Sequence, residues 1–478
     1  MNGFIDDPIA VLAVAGIVRE YHPWAWDEGD GASYRGYPGN ENKWAPSYAG
    51  GGGWNFDSYY RSYQASKSAV IPAPVIQGSV RWLTSDSEAQ PVARGQSSTE
   101  PRSYAAHADH LFQYAARYGK TKVALDKLKL ADGQPRASGL GLVSYFENWN
   151  EPDKWWKGAP GAPGNFSAEE FAAMTSADYD GHCRALGETV GVRNADPEAR
   201  MVLGGLAGQD KVNQLPYLSA IKAWADEHRG GSFPADVINV HHYSRNASHG
   251  ISPEEDQLKS KLEEIVAWRD QNVPGRELWL SEFGYDTNSV TQQGVPSIGT
   301  RSEYVVQGAW NIRSYLAAAA AGIDRAFLFM IRDTNYQDKT QFSSSGLVYY
   351  GDGSRPPPPG KKNHDPKPSW FFVATMKATL SGMLFDGEVK SGNPEVRVYR
   401  FNKLSGGGGA YAVWCATARD LSVKGFALEL PGATTASLIT LADGEPRGKS
   451  SPLVLKGGLA SVDVSEVPLF VVVDSVRN

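Results

Sequence analysis

Two short segments carry carboxylates in a setting suited to acid–base and nucleophilic chemistry. One is Glu147-Asn148-Trp149-Asn150-Glu151-Pro152-Asp153, and the other is Leu280-Ser281-Glu282-Phe283-Gly284. Each ends an apolar run, so each places a glutamate at the C-terminal end of a predicted strand. Cleavage of a glycosidic bond needs two carboxyl groups flanking it, one protonated and one ionised. Surroundings that push two carboxylate pKa values apart let one site fill both roles. Glu147 is a rival acid on the same strand as Glu151. It lies four residues earlier, roughly 13 Å deeper at about 3.3 Å per residue, and points to the same side by parity. It is read as a buried structural partner for a base such as Arg19.

His241-His242 invites a metal reading, but neighbours on a strand point to opposite faces and cannot easily chelate one ion. A hydrogen-bonding role is expected, with His241 and Tyr243 sharing a face. The two cysteines, Cys183 and Cys415, fall in different predicted domains without a CxxC or CxxH pattern, so neither a zinc site nor a disulfide is expected. The expected chemistry requires no metal or organic cofactor.

The elements that must position these residues alternate. Short apolar runs at 2–4, 17–21, 70–77, 142–150, 200–206, 237–243, 277–283 and 326–331 read as strands. Amphipathic stretches at 7–15, 56–66, 104–118, 168–186, 215–228, 253–271, 301–321 and 370–383 read as helices. Alternation of this kind makes a parallel sheet, and eight units close a (β/α)8 TIM barrel. Active sites of such barrels lie at the C-terminal ends of the strands, where Glu151 and Glu282 are expected, on the fourth and seventh. The first strand is nearly absent, so the chain is expected to begin inside the module. Residues 22–55 form a loop rich in Gly, Trp and Tyr, and loops of that length in a compact domain are usually functional.

The pattern changes near residue 386. Strand-like runs at 396–401, 410–416, 425–430, 436–441 and 469–473, separated by turn residues, predict an antiparallel β-sandwich. The expected domains are therefore a catalytic barrel over 1–385 and an accessory sandwich over 386–478. Four consecutive prolines at 356–359 mark a loop before the last helix.

Composition narrows the partners. With 41% hydrophobic and 21% charged residues the chain is globular, and its net charge of −6 argues against a nucleic-acid partner. The apolar run 8–18 is too short to span a bilayer, and it follows two aspartates rather than the basic residues that open a signal peptide. Flat aromatic faces suit sugar rings. Trp82 follows the third strand and Trp155 follows Glu151, so both are candidates for stacking on a sugar, as are Trp24, Trp26, Trp44 and Trp54 of the first loop.

The strand-end Asn150-Glu151-Pro152 with Glu282 on the seventh strand resembles clan A glycoside hydrolases. The string FENWNEPD is similar to the acid/base region of family 39 and its neighbours. The resemblance implies that Glu151 is the acid/base, Glu282 the nucleophile, and Asn150 a ligand of the sugar 2-hydroxyl. His241 and Tyr243 look like the clan's His-x-Tyr, and Arg19 resembles the arginine that steadies the nucleophile. Many clan members end the eighth strand with a tryptophan, whereas this chain reads Phe327-Leu328-Phe329-Met330-Ile331 there. The implied activity is retaining hydrolysis of β-glycosidic bonds, endo-acting on a β-glucan or β-xylan. An exo-acting β-xylosidase or β-glucosidase and an inactive sugar-binding barrel are the alternatives. Secretion or periplasmic export is expected from the polymeric substrate.

Overall fold

A computed structural model describes residues 1–28, 55–66, 70–131, 133–154, 163–208 and 214–476. The apolar runs form β1 (Asn2–Gly3), β2 (Ile17–Pro23), β3 (Ile71–Gln77), β4 (Tyr145–Glu147), β5 (Arg200–Val202), β6 (Val237–His241), β7 (Glu277–Phe283) and β8 (Arg325–Leu328). They make one eight-stranded sheet in sequence order, the arrangement of a (β/α)8 barrel. The abbreviated first strand pairs in parallel with β2, Asn2 opposite Arg19 and Gly3 opposite Glu20. By internal packing the chain divides into two compact units, Met1–His242 with Ala267–Glu282 and Tyr243–Val266 with Phe283–Asn478.

In the first unit, local sequence explains both regularity and its lapses. β3 carries Pro72 and Pro74, which lack N–H donors. The Ile71 N–H bonds Gly16 O on the β2 side, so by alternation the two prolines turn toward β4. Accordingly β2 and β3 pair over seven residues, whereas β3 and β4 register only at Val75–Glu147. The helix Ala168–Asp180 opens on a capping box, Ser167 with Glu170, and closes at Gly181 with φ 67°. A left-handed glycine ends a helix, and this is why it stops six residues before the predicted end at Leu186.

In the second unit, β9 (Met383–Glu388), β10 (Val396–Lys403), β11 (Gly409–Cys415), β13 (Ala436–Thr440), β14 (Lys449–Leu453) and β16 (Leu469–Val473) form a six-stranded sheet in the order β14-β13-β16-β11-β10-β9. β12 (Ser422–Glu429) and β15 (Leu459–Ser465) form a second, two-stranded sheet. Alternate residues build one core that includes Val398, Val413, Phe426, Val462, Val464 and Val471, as a sandwich requires. Arg313, on the helix Glu303–Ala321, pairs with Glu254 and donates to Thr417 O, and Trp414 Nε1 donates to the same glutamate. Cys183 in the first unit is exposed, Cys415 in the second is buried, and both are free thiols. No helix among the described residues is long and apolar enough to cross a membrane.

Candidate active site

The site lies within the first unit and is built from the ends of β2, β4, β6 and β7. Glu151 stands four residues past Glu147, in the left-handed region at φ 51°. That region is uncommon for a residue with a Cβ, and such strain clusters at functional sites. The conformation is pinned by the Glu151 N–H, which donates to Gly205 O at 2.9 Å. Gly205 must itself be glycine, because a Cβ there would stand 2.2 Å from His241 Nε2. Asp153 holds the following turn, accepting from the N–H groups of Ala207 and Gly208.

A register shift aims the second carboxylate. β6 and β7 pair in step from Val237 to Val240, then slip so that His241 faces Glu282. Bulges of this kind redirect side chains at barrel rims. Here Ser281 becomes the extra residue. Its hydroxyl contacts His241 Nε2 at 3.0 Å and its carbonyl accepts from Asn2 Nδ2 at 2.8 Å.

Arg19 organises the floor. It donates from Nε and Nη2 to both oxygens of Glu147, each at 2.7 Å. Nη1 donates to Glu282 Oε1 at 2.7 Å and to Asn2 Oδ1 at 2.9 Å, and Nη2 donates to Asn150 Oδ1 at 2.8 Å. Glu147 Oε1 also accepts from Asn239 Nδ2 and Gly205 N–H. Burial opposes the guanidinium charge, but Glu147, Tyr21 and Glu282 outweigh it and hold its pKa well above the ordinary value. The structure thus places Glu147 as the buried partner of Arg19, and Arg19 against Glu282.

His241 links the two candidate carboxylates. Its Nδ1 lies 2.9 Å from Glu151 Oε1 and 3.5 Å from Glu282 Oε2. The Glu151 side chain is 17% exposed, against 5% for Glu282 and none for His241. Burial pushes the Glu151 carboxyl above the usual carboxylate range. The hydrogen bond and charge of His241 work against that shift, and the charges of Glu282 and Asp153 add to it. Burial opposes protonation of His241, but Glu282 and Glu151 override it and raise its pKa. Both groups of the Glu151–His241 contact therefore bind protons more tightly than usual, and Glu151 is the more exposed of the two acids.

Ligand atoms of Glu151, His241 and Glu282 lie within 4.8 Å of one another, close enough to share an ion. The Arg19 guanidinium on Glu282 Oε1 already puts a full positive charge beside the group, which disfavours a second cation electrostatically. The same figure means that a carboxylate oxygen of Glu151 and one of Glu282 approach within 4.8 Å.

The other predicted residues make ring contacts of their own. Trp82 meets Trp24 edge to face with ring centroids 5.9 Å apart, and Trp24, fully buried, stacks on His110 at 5.5 Å. Trp26 stacks on Phe56 at 6.4 Å. Tyr243, in the second unit, packs on Phe342 and Phe329. Trp155, Trp44 and Trp54 lie outside the described residues. Sequence reading missed Tyr21, whose hydroxyl donates to Glu282 Oε1. Its spacing of two from Arg19 on a strand is the signal that could have found it.

Behind β2 lies a second charged group. His22 contacts Glu20 at 3.1 Å and Asp27 at 2.8 Å, and His110 contacts Asp27 at 3.0 Å and Glu28 at 3.2 Å. All five side chains are at most 1% exposed. Tyr60 donates to Glu20, and Tyr60 and Tyr114 share a hydroxyl contact of 2.6 Å. Burial opposes charge on each histidine, but the flanking carboxylates raise both to about 9.

The barrel and the antiparallel sandwich make a fold shared with solved glycoside hydrolases. No family model matches the sequence, and no curated protein matches it significantly. Among solved structures, the chain is similar to a family 39 glycoside hydrolase from Bacteroides cellulosilyticus WH2, at 14% identity and TM-score 0.63, over 99% of this chain and 80% of that one. It is also similar to the catalytic domain of GH30 xylanase C from Talaromyces cellulolyticus, at 11% identity and TM-score 0.58, over 98% and 93%. A glucosidase from Croceicoccus marinus aligns at 13% identity and TM-score 0.57, over 98% and 91%.

Proposed function

We propose that the protein is a retaining glycoside hydrolase of β-glycosidic bonds, endo-acting on a β-linked polysaccharide of the β-glucan or β-xylan type. The observation that carries this reading is the approach of the Glu151 and Glu282 carboxylates around His241, with Arg19 on one and solvent at the other. Two carboxylates this close favour double displacement over the wider spacing that inversion needs to admit a water. Glu151 protonates the leaving oxygen while Glu282 attacks the anomeric carbon and forms a covalent glycosyl-enzyme. Glu151 then takes a proton from the water that releases the sugar.

Asn150, whose carbonyl oxygen is engaged by Arg19, keeps its amide N–H groups for the sugar 2-hydroxyl. His241, hydrogen-bonded to Glu151, orients the acid/base at the sugar, and Tyr243, Trp82 and Trp155 contact the sugar. Residues 1–385 are the catalytic module and 386–478 an accessory one. The protein works outside the cytoplasm, where such polymers are met. The likeness to a glucosidase gives the exo-acting β-glucosidase or β-xylosidase reading second place.

The test is a panel of β-glucans, xylans and aryl β-glycosides, with products sized and their anomeric protons followed by NMR. Internal cleavage with first-formed β-product is expected, unchanged by chelator. Monosaccharide release alone moves the reading to exo action. First-formed α-product overturns retention, and binding without turnover means an inactive sugar-binding barrel.

A further inference from the structure

The outer face of the large sandwich sheet carries a cavity of its own. In the ladder, Tyr399 of β10 stands opposite Glu388 of β9, and Arg397 of β10 opposite Trp414 of β11. Directly opposed residues share a face, and successive residues alternate. Val396, Val398, Val413 and Cys415 belong to the sandwich core, so Glu388, Arg397, Tyr399 and Trp414 share the other face. With Pro253, Glu254, the helix Leu258–Asn272 and Ala317 of the helix Glu303–Ala321, they line a cavity of about 300 Å³. That is the lower end of the size range of small-molecule sites, enough for a sugar ring. The cavity lies wholly in the second unit and shares no residue with the active site.

Its lining selects a neutral, polar ligand. Every charged side chain on it is already paired: Glu254 with Arg313, Lys259 with Glu263 at 2.8 Å, and Arg397 with Glu388 at 3.5 Å. An ionic ligand would have to compete with one of these partners. A polyhydroxylated ring would not, because each hydroxyl both donates and accepts and can use the donors and lone pairs that the ion pairs leave over. Tyr399 is only 4% exposed, yet its hydroxyl has no hydrogen-bond partner among the described residues. A buried hydroxyl without a partner carries a desolvation cost that a ligand hydroxyl relieves. Gln257, on the same lining, is held in the left-handed region at φ 58°, and backbone strain of that kind clusters at ligand clamps. Tyr399 and Trp414 meet edge to face at 4.9 Å. With Pro253 and Ala317 they give an apolar patch for the C–H face of a pyranose. We propose that this cavity is a second, non-catalytic carbohydrate site, which holds a sugar residue of a β-linked glycan. The choice of a β-glycan rests on the hydrolase reading, whereas the neutral polyhydroxylated ligand rests on the cavity alone.

The test is a titration of the full chain with cellohexaose and with xylohexaose. Glu282→Gln prevents cleavage, and the chain is labelled with 5-fluorotryptophan. The fluorine resonance of Trp414, assigned by its loss in Trp414→Phe, should shift saturably with at least one of the two. Tyr399→Phe should raise the concentration for half-maximal shift by about 2- to 10-fold, the loss of one hydrogen bond. With Glu282 intact, the same substitution should leave kcat/KM for a dinitrophenyl β-glycoside within about 2-fold. If Tyr399→Phe does not fold, Glu388→Ala with Arg397→Ala removes the partly exposed rim pair together and provides the test, with the same weakening expected. A Trp414 resonance that neither hexaose moves overturns the inference, as does a shift that these substitutions leave unaltered. A wild-type chain that turns over no glycoside, with the Trp414 shift intact and weakened by Tyr399→Phe, overturns the hydrolase reading and leaves the second site standing.

Discussion

Strand β2 separates two charged interiors that differ in what they can do. Toward the barrel it presents Arg19 and Tyr21, which meet Glu147, Glu282 and Asn150. Toward the helix layer it presents Glu20 and His22, which meet Asp27, Tyr60 and Tyr114. Both sides bury acids and cations in contact. On the outer side every charged group is sealed from solvent and each histidine is flanked by two carboxylates, so its proton is locked in place. On the inner side the Glu151 carboxyl is partly open to solvent, and burial pushes its pKa above the usual carboxylate range. Buried charge alone does not make a site. A site needs a transferable proton and a way in.

The sharpest break of this comparison is on the inner side. Glu282→Gln should reduce turnover of every substrate, by as much as about 10⁶-fold, the scale seen when another hydrolase loses its covalent nucleophile. Glu151→Gln should cost roughly 10²–10⁴-fold on substrates with poor leaving groups. With dinitrophenyl glycosides it should still form the glycosyl-enzyme and then stall. Steady-state and burst kinetics on both substrate types check this pair.

Arg19→Met breaks a buried ion pair and should cost about 3–5 kcal/mol in denaturant unfolding. Adding Glu147→Gln should recover part of that loss, because the orphaned carboxylate is then neutral. A double-mutant cycle in which the losses simply add would mean that Arg19 and Glu147 are not coupled.

The outer side should respond to pH rather than to substrate. His22 and His110 have folded pKa values of about 9, above the 6.5 of an unperturbed histidine. Their stabilisation is fully present below about pH 6.5 and is lost as pH rises through about 9. Thermal melts should therefore show stability falling over that window, by roughly 3 kcal/mol for each histidine. His22→Gln should flatten the slope while leaving kcat at neutral pH within a few-fold. A large loss of kcat in a folded His22→Gln would place the outer cluster in the chemistry and dissolve the comparison.

The inner side was the more legible in sequence. Strand alternation brings Arg19 to Glu147, and the strand-end positions of Glu151 and Glu282 can be read from the apolar runs that precede them. What could not be read arises where regular periodicity fails. The left-handed turn at Glu151 and the slip between Val240 and His241 each depend on a neighbouring strand, and single-strand parity does not contain them. Gly204-Gly205 carried a trace of that constraint, since paired glycines at a strand end mark a close approach. On the outer side, Asp27, Glu28 and His110 are drawn together from separate elements, and tertiary contact alone makes them a cluster. In the sandwich, β15 alternates cleanly with Ala460, Val462 and Val464 buried, and its pattern was available. β14 reads Lys-Ser-Ser-Pro-Leu, is largely exposed, and offers no apolar signal.

The assignment of roles to Glu151 and Glu282 is tested most directly by azide rescue of the two alanine variants on a dinitrophenyl β-glycoside. Azide needs no base, so in Glu151→Ala it should release the glycosyl-enzyme and give the β-glycosyl azide. In Glu282→Ala it should enter from the nucleophile's own face and give the α-azide. Proton NMR of the anomeric centre distinguishes the two products. An α-azide from Glu151→Ala together with a β-azide from Glu282→Ala would contradict the account, because the acid/base and the nucleophile would then be exchanged.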